Sequence, residues 1–338
     1  MSFKDMESVA QAMVVPGKGI LAADESSPTI KKRFDLIDTE STEESRRTYR
    51  EMLFTTPGLA DYISGVILYD ETLRQKTADG VPFPALLANM GVIPGIKVDT
   101  GAKDLAAFPG EKITEGLDGL RERLAEYHEM GARFAKWRAV ITIGDGIPSD
   151  FCLQANAHAL ARYAALCQEA AIVPIVEPEV LMDGKHTLAA CEEVTNRALT
   201  LVFAALAEHR VHLPAIVLKP NMVISGTECA DRAGPREVAE ATVRCLAAQV
   251  PAEVPGIAFL SGGQSDEAAT LHLNAMNKLA GRASAEPAPW KLSFSYGRAL
   301  QAAPLKAWAG DHDKLAAAQA ALMARAKANG AATLGQYA

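Results

Sequence analysis

Eight runs of strand length, rich in apolar and β-branched residues, recur along the 338-residue chain and constrain its fold more than any other feature. Each run ends in polar or charged residues. Their apolar residues are continuous rather than alternating, which is typical of parallel strands that are covered on both faces. The runs are 19–24, 65–70, 93–99, 134–140, 172–180, 215–223, 256–263 and 291–297.

The segments between these runs carry helix signals. Ser149 stands at an N-cap position before an alanine- and leucine-rich stretch that ends at Ala171. Pro235 stands at the first-turn position of another helix. Further helices are predicted over 41–54, 188–209 and 312–328. Eight alternations of strand and helix favour a (β/α)₈ barrel over a doubly wound open sheet, the other fold that combines parallel strands with helices.

We therefore expect an α/β chain that forms a single TIM barrel domain over 1–338, with additional N- and C-terminal helices. The barrel strands are expected at about 19–297, and a C-terminal helix with a short tail at 311–338. The Gly-, Pro- and Ala-rich stretch 281–289 is interpreted as a surface loop rather than a domain boundary.

Composition and charge exclude several classes of function. The net charge of −7 argues against a general nucleic-acid-binding surface. No run of roughly 18 apolar residues is present, so we expect no membrane span. Charged residues at 4, 5 and 7 precede any apolar stretch, which is unlike a signal peptide, and we expect a cytoplasmic protein. The five cysteines form no C-x-x-C pair, which indicates neither a disulfide framework nor a zinc cluster.

Polar residues stand where the predicted strands end, and in a (β/α)₈ barrel the carboxyl ends of the strands form the active site. Lys136 and Arg138 are two residues apart and face the same way on a strand, as do Glu177 and Glu179. One buried ion pair alone is more often structural, whereas several ionisable residues at one rim indicate a functional site. The strand-end residues are Asp24, Lys97, Asp99, Lys136, Arg138, Glu177, Glu179, Lys219, Ser261 and Arg298.

Lys219 is the strongest nucleophile candidate. Its neighbours include Val217, Leu218 and Pro220, so its amine is expected to be desolvated, which favours the neutral form. A second cation at Lys136 would act in the same direction. A neutral amine can form an imine with a carbonyl substrate, and a protonated imine accepts electrons when a carbon–carbon bond breaks. The alternative is a buried lysine in a structural salt bridge.

Two glycine-containing turns suggest a phosphate site. Ser261-Gly262-Gly263 and Tyr296-Gly297-Arg298 each lead from a predicted strand into a helix. Backbone N–H groups at a helix N-terminus bind anions, and an arginine adds a bidentate contact. Loops after the seventh and eighth strands are the usual phosphate site of these barrels. Either turn alone is more often a plain turn.

Two other classes of site are not supported. The segment 17–22 matches the dinucleotide pattern G-x-G-x-x-A, but it precedes a strand instead of following one. The seven histidines form no pair with ligand spacing at a strand end, so we expect neither a metal nor another cofactor.

With these features in place, the sequence resembles the class I fructose-bisphosphate aldolases over nearly its whole length. The most specific motifs are FAKWR at 134–138, IVEPE at 175–179 and LKPNM at 218–222. Further matches include GKGILAADES at 17–26, FLSGGQS at 259–265 and FSYGRALQ at 294–301. The resemblance implies metal-independent cleavage of fructose 1,6-bisphosphate through a lysine Schiff base, and a homotetramer.

The resemblance also implies roles for single residues. Lys219 matches the imine-forming lysine, Glu177 the acid and base for carbinolamine dehydration, and Glu179 the neighbour that tunes the cluster. Lys136 matches the lysine that orients the substrate and assists proton movement, and Asp24 the base for the C4 hydroxyl. The residues that match the C1-phosphate site are Ser261, Gly262, Gly297 and Arg298. Those that match the C6-phosphate side are Ser26, Thr29, Lys97, Arg138 and Arg33, with Thr29 where the family commonly has serine.

Two departures from the family pattern stand out. Animal relatives extend further and use a terminal tyrosine to protonate the enamine carbon, whereas this sequence reaches only Tyr337-Ala338. We expect another group or water to take over that step, with Tyr337 as the alternative. The 281–289 loop is also longer than usual. A related Schiff-base aldolase that prefers fructose 1-phosphate or sedoheptulose 1,7-bisphosphate, or a binding scaffold, are the competing functions.

Overall fold

In the computed structural model, which describes residues 2–280 and 287–338, eight parallel strands close into a barrel. Part of the loop predicted at 281–289 therefore lies outside the described residues. The barrel strands are β1 (Gly19–Ala23), β2 (Ile63–Leu68), β3 (Ile93–Lys97), β6 (Phe134–Ile141), β7 (Val173–Val180), β8 (Val217–Leu218), β9 (Gly256–Phe259) and β10 (Lys291–Tyr296). A separate antiparallel hairpin consists of β4 (Gly101–Asp104) and β5 (Lys112–Glu115).

The strands follow the ring order β1-β10-β9-β8-β7-β6-β3-β2. Because β1 pairs with both β2 and β10, the sheet has no free edge, and the predicted barrel is confirmed over the open sheet. The hairpin β4–β5, which lies outside the ring between β3 and β6, was not predicted, because its short strands lack the continuous apolar pattern of the barrel strands.

Thirteen α-helices are assigned among the described residues, and the predicted ones are present. Ser149 caps its helix by accepting a hydrogen bond from the Cys152 N–H at 3.1 Å, and Pro235 occupies the first turn of its own. The helices are α1 (Phe3–Met13), α2 (Ser27–Phe34), α3 (Glu43–Phe54), α4 (Leu59–Tyr62), α5 (Asp70–Arg74), α6 (Phe83–Asn89), α7 (Leu120–Glu129), α8 (Asp150–Glu169), α9 (Leu188–Glu208), α10 (Pro235–Gln249), α11 (Asp266–Ala280), α12 (Arg298–Trp308) and α13 (Leu315–Thr333).

Strand β8 is much shorter than the predicted run 215–223, since only two of its residues have ladder geometry. The Lys219 N–H still donates to the Val176 carbonyl of β7 at 2.8 Å. The next residue, Pro220, faces β9, where its carbonyl accepts the Leu260 N–H at 3.2 Å. On the other side, Pro178 of β7 has no N–H to donate toward β8, and no further backbone pairing between β7 and β8 is present in the described part of the chain.

Helix α1 covers the N-terminal end of the barrel. Its Met6, Ala10 and Met13 are buried in one apolar cluster with the barrel residues Ile20 and Phe134. The Phe134 ring fills space that neighbouring strands leave by having glycine at 65 and 95. This end of the barrel is thus packed with side chains, and the opposite end carries the polar residues.

No helix among residues 2–280 and 287–338 is both long and apolar enough to cross a membrane. Four of the five cysteines are buried thiols on helices, and Cys229 lies in a loop after β8. A mainly apolar packing role fits those four.

Candidate active site

A cavity of about 840 Å³ opens at the carboxyl ends of the strands, and each barrel strand or the turn after it contributes to its wall. Parallel strands bring their carboxyl ends to the same rim, so residues far apart in the sequence meet there. All of the site residues predicted from the sequence line this cavity: Asp24, Ser26, Thr29, Arg33, Lys97, Lys136, Arg138, Glu177, Glu179, Lys219, Ser261, Gly262, Gly297 and Arg298.

Lys136 lies at the centre of a cluster of buried carboxylates. Its Nζ is 2.8 Å from Asp24 Oδ2, 3.4 Å from Glu177 Oε2 and 4.0 Å from Asp99 Oδ2. Only 4% of Lys136 and 3% of Glu177 are exposed, so these charges have little access to water. A buried charge is tolerated when it is paired, and Lys136 supplies the shared positive charge.

The electrostatics of the cluster fix the protonation of two groups. Burial alone would raise the pKa of Asp24, but the nearby ammonium groups of Lys136 and Lys219 outweigh it and hold that pKa well below its ordinary value. Burial would lower the pKa of Lys136, but Asp24, Glu177 and Asp99 raise it well above its ordinary value. Asp24 is therefore a carboxylate and Lys136 a cation at neutral pH.

Lys219 is buried beside the same cluster. Its Nζ lies 3.1 Å from Glu177 Oε1, on the other side of that carboxylate from Lys136. The side chain is 4% exposed, as its apolar neighbours predicted. Glu177 contacts both lysines, so it is placed to exchange a proton with Lys219 while Lys136 holds its second oxygen.

A second layer of ion pairs lies nearer the rim. Arg138 forms a salt bridge with Glu179, and both residues stand two positions beyond the first pair on β6 and β7. Lys97 Nζ is 2.7 Å from Asp99 Oδ1. Arg138 and Lys97 both line the cavity.

The turns after β9 and β10 form the opposite wall. Gly262 has a φ of +57°, which disfavours other residues, and its carbonyl accepts a hydrogen bond from Arg298 Nη2 at 2.7 Å. Gly297 precedes the first residue of α12, so N–H groups of the first turn are directed toward the cavity rim. Ser261 is 6% exposed beside them. The arrangement suits an anion.

The segment after β1 adds hydroxyls and a further cation. Ser26 Oγ and Thr29 Oγ1 are 3.0 Å apart at the start of α2. Arg33 forms a salt bridge with Glu25. Arg33 Nη2 would be 3.8 Å from a Cβ on Gly297, so its guanidinium lies beside a residue predicted for the other phosphate.

Comparisons with known proteins agree with this geometry. The model of the family described as "Fructose-bisphosphate aldolase class-I" matches residues 5–338. The chain belongs to the class I fructose-bisphosphate aldolases. It is 59% identical over 338 residues to a probable class 1 fructose-bisphosphate aldolase of Xanthomonas campestris, covering 100% of this chain and 99% of the relative.

Plant and parasite aldolases are similar as well. Cytosolic fructose-bisphosphate aldolase 4 of Arabidopsis thaliana is 54% identical over 333 residues, 98% of this chain and 84% of the relative. A solved structure of the Plasmodium falciparum aldolase, in complex with TRAP and a small-molecule inhibitor, superposes with a TM-score of 0.96. It is 50% identical, and the match covers 99% of this chain and 95% of that one. The chain is thus related to lyases across its full length.

Three residues of the aldolase cavity were given no role from the sequence. Asp99 joins Lys97 to Lys136, and its position at a predicted strand end was the available signal. Glu25 follows Asp24 directly and binds Arg33. Ser295 is 1% exposed, and its Oγ has no hydrogen-bond partner among the described residues. Its place on β10 two residues before Gly297 was the only signal.

Tyr337 lies away from the residues that line the aldolase cavity. Its backbone N–H donates to Asn274 Oδ1, and its carbonyl accepts from Asn274 Nδ2, both at 3.0 Å. Asn274 is in the middle of α11, and Tyr337 packs against the apolar core there. In the described part of the chain, the tail is thereby fastened to the outer layer of helices.

Proposed function

We propose that this chain cleaves fructose 1,6-bisphosphate reversibly to dihydroxyacetone phosphate and glyceraldehyde 3-phosphate, with Lys219 as the imine-forming nucleophile. The observation that carries the proposal is the contact between Lys219 Nζ and Glu177 Oε1 at 3.1 Å, inside a buried cluster that also holds Asp24 and Lys136. An amine, a proton carrier, a base and a fixed cation are the groups that Schiff-base cleavage requires.

In the proposed reaction, Glu177 first takes a proton from the Lys219 ammonium. The neutral amine attacks the C2 carbonyl of the open-chain ketose and forms a carbinolamine. Glu177 returns its proton to the C2 hydroxyl, which leaves as water, and an iminium ion remains on Lys219. In the resting site Lys136 is a cation, because Asp24, Glu177 and Asp99 raise its pKa, and it keeps Glu177 and Asp24 in place.

Asp24 then acts as the base for carbon–carbon cleavage. Its carboxylate removes the proton of the C4 hydroxyl, the C3–C4 bond breaks, and its electron pair moves into the iminium to give an enamine. The aldehyde product leaves. A proton is added to the enamine carbon, and water hydrolyses the resulting imine and frees Lys219. The lowered pKa of Asp24 keeps it ionised and ready for this step.

Two cationic groups suit the two phosphates of the substrate. Gly297 and Arg298 follow β10, and Arg138 is on β6; in the ring, β9, β8 and β7 separate these strands on one side and β1, β2 and β3 on the other. We assign the C1 phosphate to Ser261, Gly262, Gly297 and Arg298. We assign the C6 phosphate to Lys97, Arg138, Ser26 and Thr29, with Arg33 between the two groups. A second cationic group favours a bisphosphate over fructose 1-phosphate, whereas sedoheptulose 1,7-bisphosphate stays an alternative substrate.

The enamine proton is assigned to a group inside the cavity or to water. Tyr337 is held on α11 by both of its backbone hydrogen bonds to Asn274, which supports this assignment. We further propose that residues 1–338 act as one barrel domain and that the enzyme is a cytoplasmic homotetramer, as the family resemblance implies. Glu179 is proposed to support the cluster through its salt bridge with Arg138.

Borohydride trapping tests the proposal. Reduction in the presence of dihydroxyacetone phosphate is expected to add the mass of the reduced ligand to the peptide that contains Lys219, and Lys219→Arg is expected to abolish the adduct. Lys97, which lines the same cavity but is paired with Asp99, is the internal control and should stay unmodified. An adduct on another lysine, or none, would refute the role of Lys219. Cleavage activity is also expected to survive EDTA.

A further inference from the structure

The carboxyl ends of β7 and β8 are not joined by a backbone ladder. Residues of β7 pair with β6 up to Val180, but with β8 only at Ile175 and Val176. Pro178 of β7, which faces β8, has no N–H to donate. The gap lies beside the proposed catalytic pair, because Glu177 and Lys219 are on these two strand ends.

The side chain of Asn221 bridges this gap. Its Oδ1 accepts the Val180 N–H of β7 at 3.0 Å, which satisfies a donor that the shortened strand leaves unpaired. Its Nδ2 donates to Thr195 Oγ1 on α9 and to the Met222 carbonyl, both at 3.1 Å. The residue is 4% exposed, so these bonds have no competition from water.

The segment after Lys219 is thus anchored by side chains from the surrounding helices. Thr195 of α9 holds the Asn221 amide, and Thr242 Oγ1 of α10 accepts the Val223 N–H at 3.0 Å. Both threonines are almost fully buried. The Asn221 amide supplies one acceptor and two donors in fixed directions. Aspartate has no donor when it is ionised, and leucine has neither a donor nor an acceptor.

We propose that Asn221 is a positioning residue for imine formation. Its amide replaces the missing ladder between β7 and β8 and thereby fixes Lys219 against Glu177. The inference rests on the proposed function of Lys219. Loss of the amide frees the two strand ends to shift, and a displacement of about 1 Å between reacting groups costs on the order of 100-fold in rate. The residues assigned to the two phosphates lie on strands and turns other than β7 and β8.

Asn221→Leu is the principal test variant, and it is folded if its circular dichroism matches wild type. We expect its kcat and its rate of borohydride trapping with dihydroxyacetone phosphate to fall by about 10- to 100-fold. The KM for fructose 1,6-bisphosphate should stay within about threefold of the wild-type value, because the substitution is expected to affect the chemical step and not the binding of the phosphates. Unchanged kcat and trapping, or a raised KM with unchanged kcat, would overturn the inference.

Asn277→Leu is the matched control. Asn277 is 5% exposed, and its side-chain amide donates to the backbone carbonyls of Leu273 and Leu292. It lies near the start of β10, at the other end of the barrel from Asn221. Its loss is expected to lower the unfolding temperature and leave kcat unchanged. An equal fall of kcat in this control would reduce Asn221 to a general structural role and overturn the inference.

Thr195→Val decides the matter if Asn221→Leu does not fold. It removes the Thr195 hydroxyl that accepts from Asn221 Nδ2, and we expect kcat and trapping to fall together by about threefold to tenfold. Unchanged values would overturn the inference. If wild type itself gives no adduct at Lys219, the proposed function fails instead, and that result is distinct from normal trapping in both variants.

Discussion

Lys136→Met would leave three buried carboxylates without their shared cation. In wild type, Lys136 Nζ lies within 4.0 Å of Asp24, Glu177 and Asp99, and it is 4% exposed. Removing one partner of a buried ion pair costs about 3–5 kcal/mol, because the remaining charge loses its partner. Here that charge is Asp24, because Glu177 stays paired with Lys219 and Asp99 with Lys97. Methionine fills a similar volume, so the loss is mainly electrostatic. We expect the variant to be less stable by that amount at pH 8.

The penalty should depend on pH in a defined direction. In wild type the pKa of Asp24 is lowered, so the stability it contributes is complete above its unfolded-state value of 3.8 and is lost only at lower pH. The pKa of Lys136 is raised, so its contribution is complete below its unfolded-state value of 10.5. In the variant, burial acts on Asp24 without Lys136 and raises its pKa. Protonation then relieves the repulsion, and the penalty shrinks as pH falls.

Urea unfolding at pH 8 and pH 5.5 measures this effect. At an m-value of about 3 kcal/mol/M, the expected loss lowers the midpoint at pH 8 by about 1–2 M. A clearly smaller difference from wild type is expected at pH 5.5. The exposed Lys306 on α12 gives the control, because Lys306→Met should change stability by less than about 0.5 kcal/mol at either pH. A penalty that is constant or grows as pH falls would refute the reasoning.

Three other perturbations test separate parts of the molecule. Gly95→Ala would place a Cβ 2.2 Å from the buried Phe134 ring, so a loss of about 1–3 kcal/mol is expected in thermal unfolding, and an unchanged melting temperature would contradict this packing. Removal of the last two residues should leave the rate of proton exchange at the enamine carbon unchanged, whereas a large drop would make Tyr337 the proton carrier. Arg50→Met should raise the KM for fructose 1,6-bisphosphate about threefold to tenfold with little change in kcat. Arg50 contacts Glu25 at 2.7 Å, and without Arg50 the Glu25 carboxylate would neutralise Arg33 more fully. An unchanged KM would contradict that link.

Much of the fold could be predicted because parallel strands covered on both faces have a continuous apolar pattern. The location of the site could be predicted for the same reason, because the strand-end residues from Asp24 to Arg298 all line one cavity. The length of β8 could not be predicted. An apolar run continues through 215–223, but the ladder with β7 depends on which N–H groups are available, and Pro178 of β7 has none to donate toward β8.

The salt-bridge partners within the site could not be predicted from the sequence either. Spacing shows that Glu177 and Glu179 face one way, but not that Glu177 bridges two lysines while Glu179 binds Arg138. Such choices depend on distances of a few ångströms between different strands. The position of Arg33 beside Gly297 has the same origin, because it depends on how α2 lies against the turn after β10.

The packing of α1 against the N-terminal end of the barrel determines where the substrate can enter the cavity and where the products can leave it. Met6, Ala10 and Met13 close that end, so the cavity is a blind pocket with one mouth. The ketose must enter, and both products must depart, by the same route. In the proposed reaction, the three-carbon aldehyde is free after cleavage, whereas the other fragment is still bound covalently to Lys219. The aldehyde therefore leaves first, and in the synthetic direction it is the second molecule to arrive.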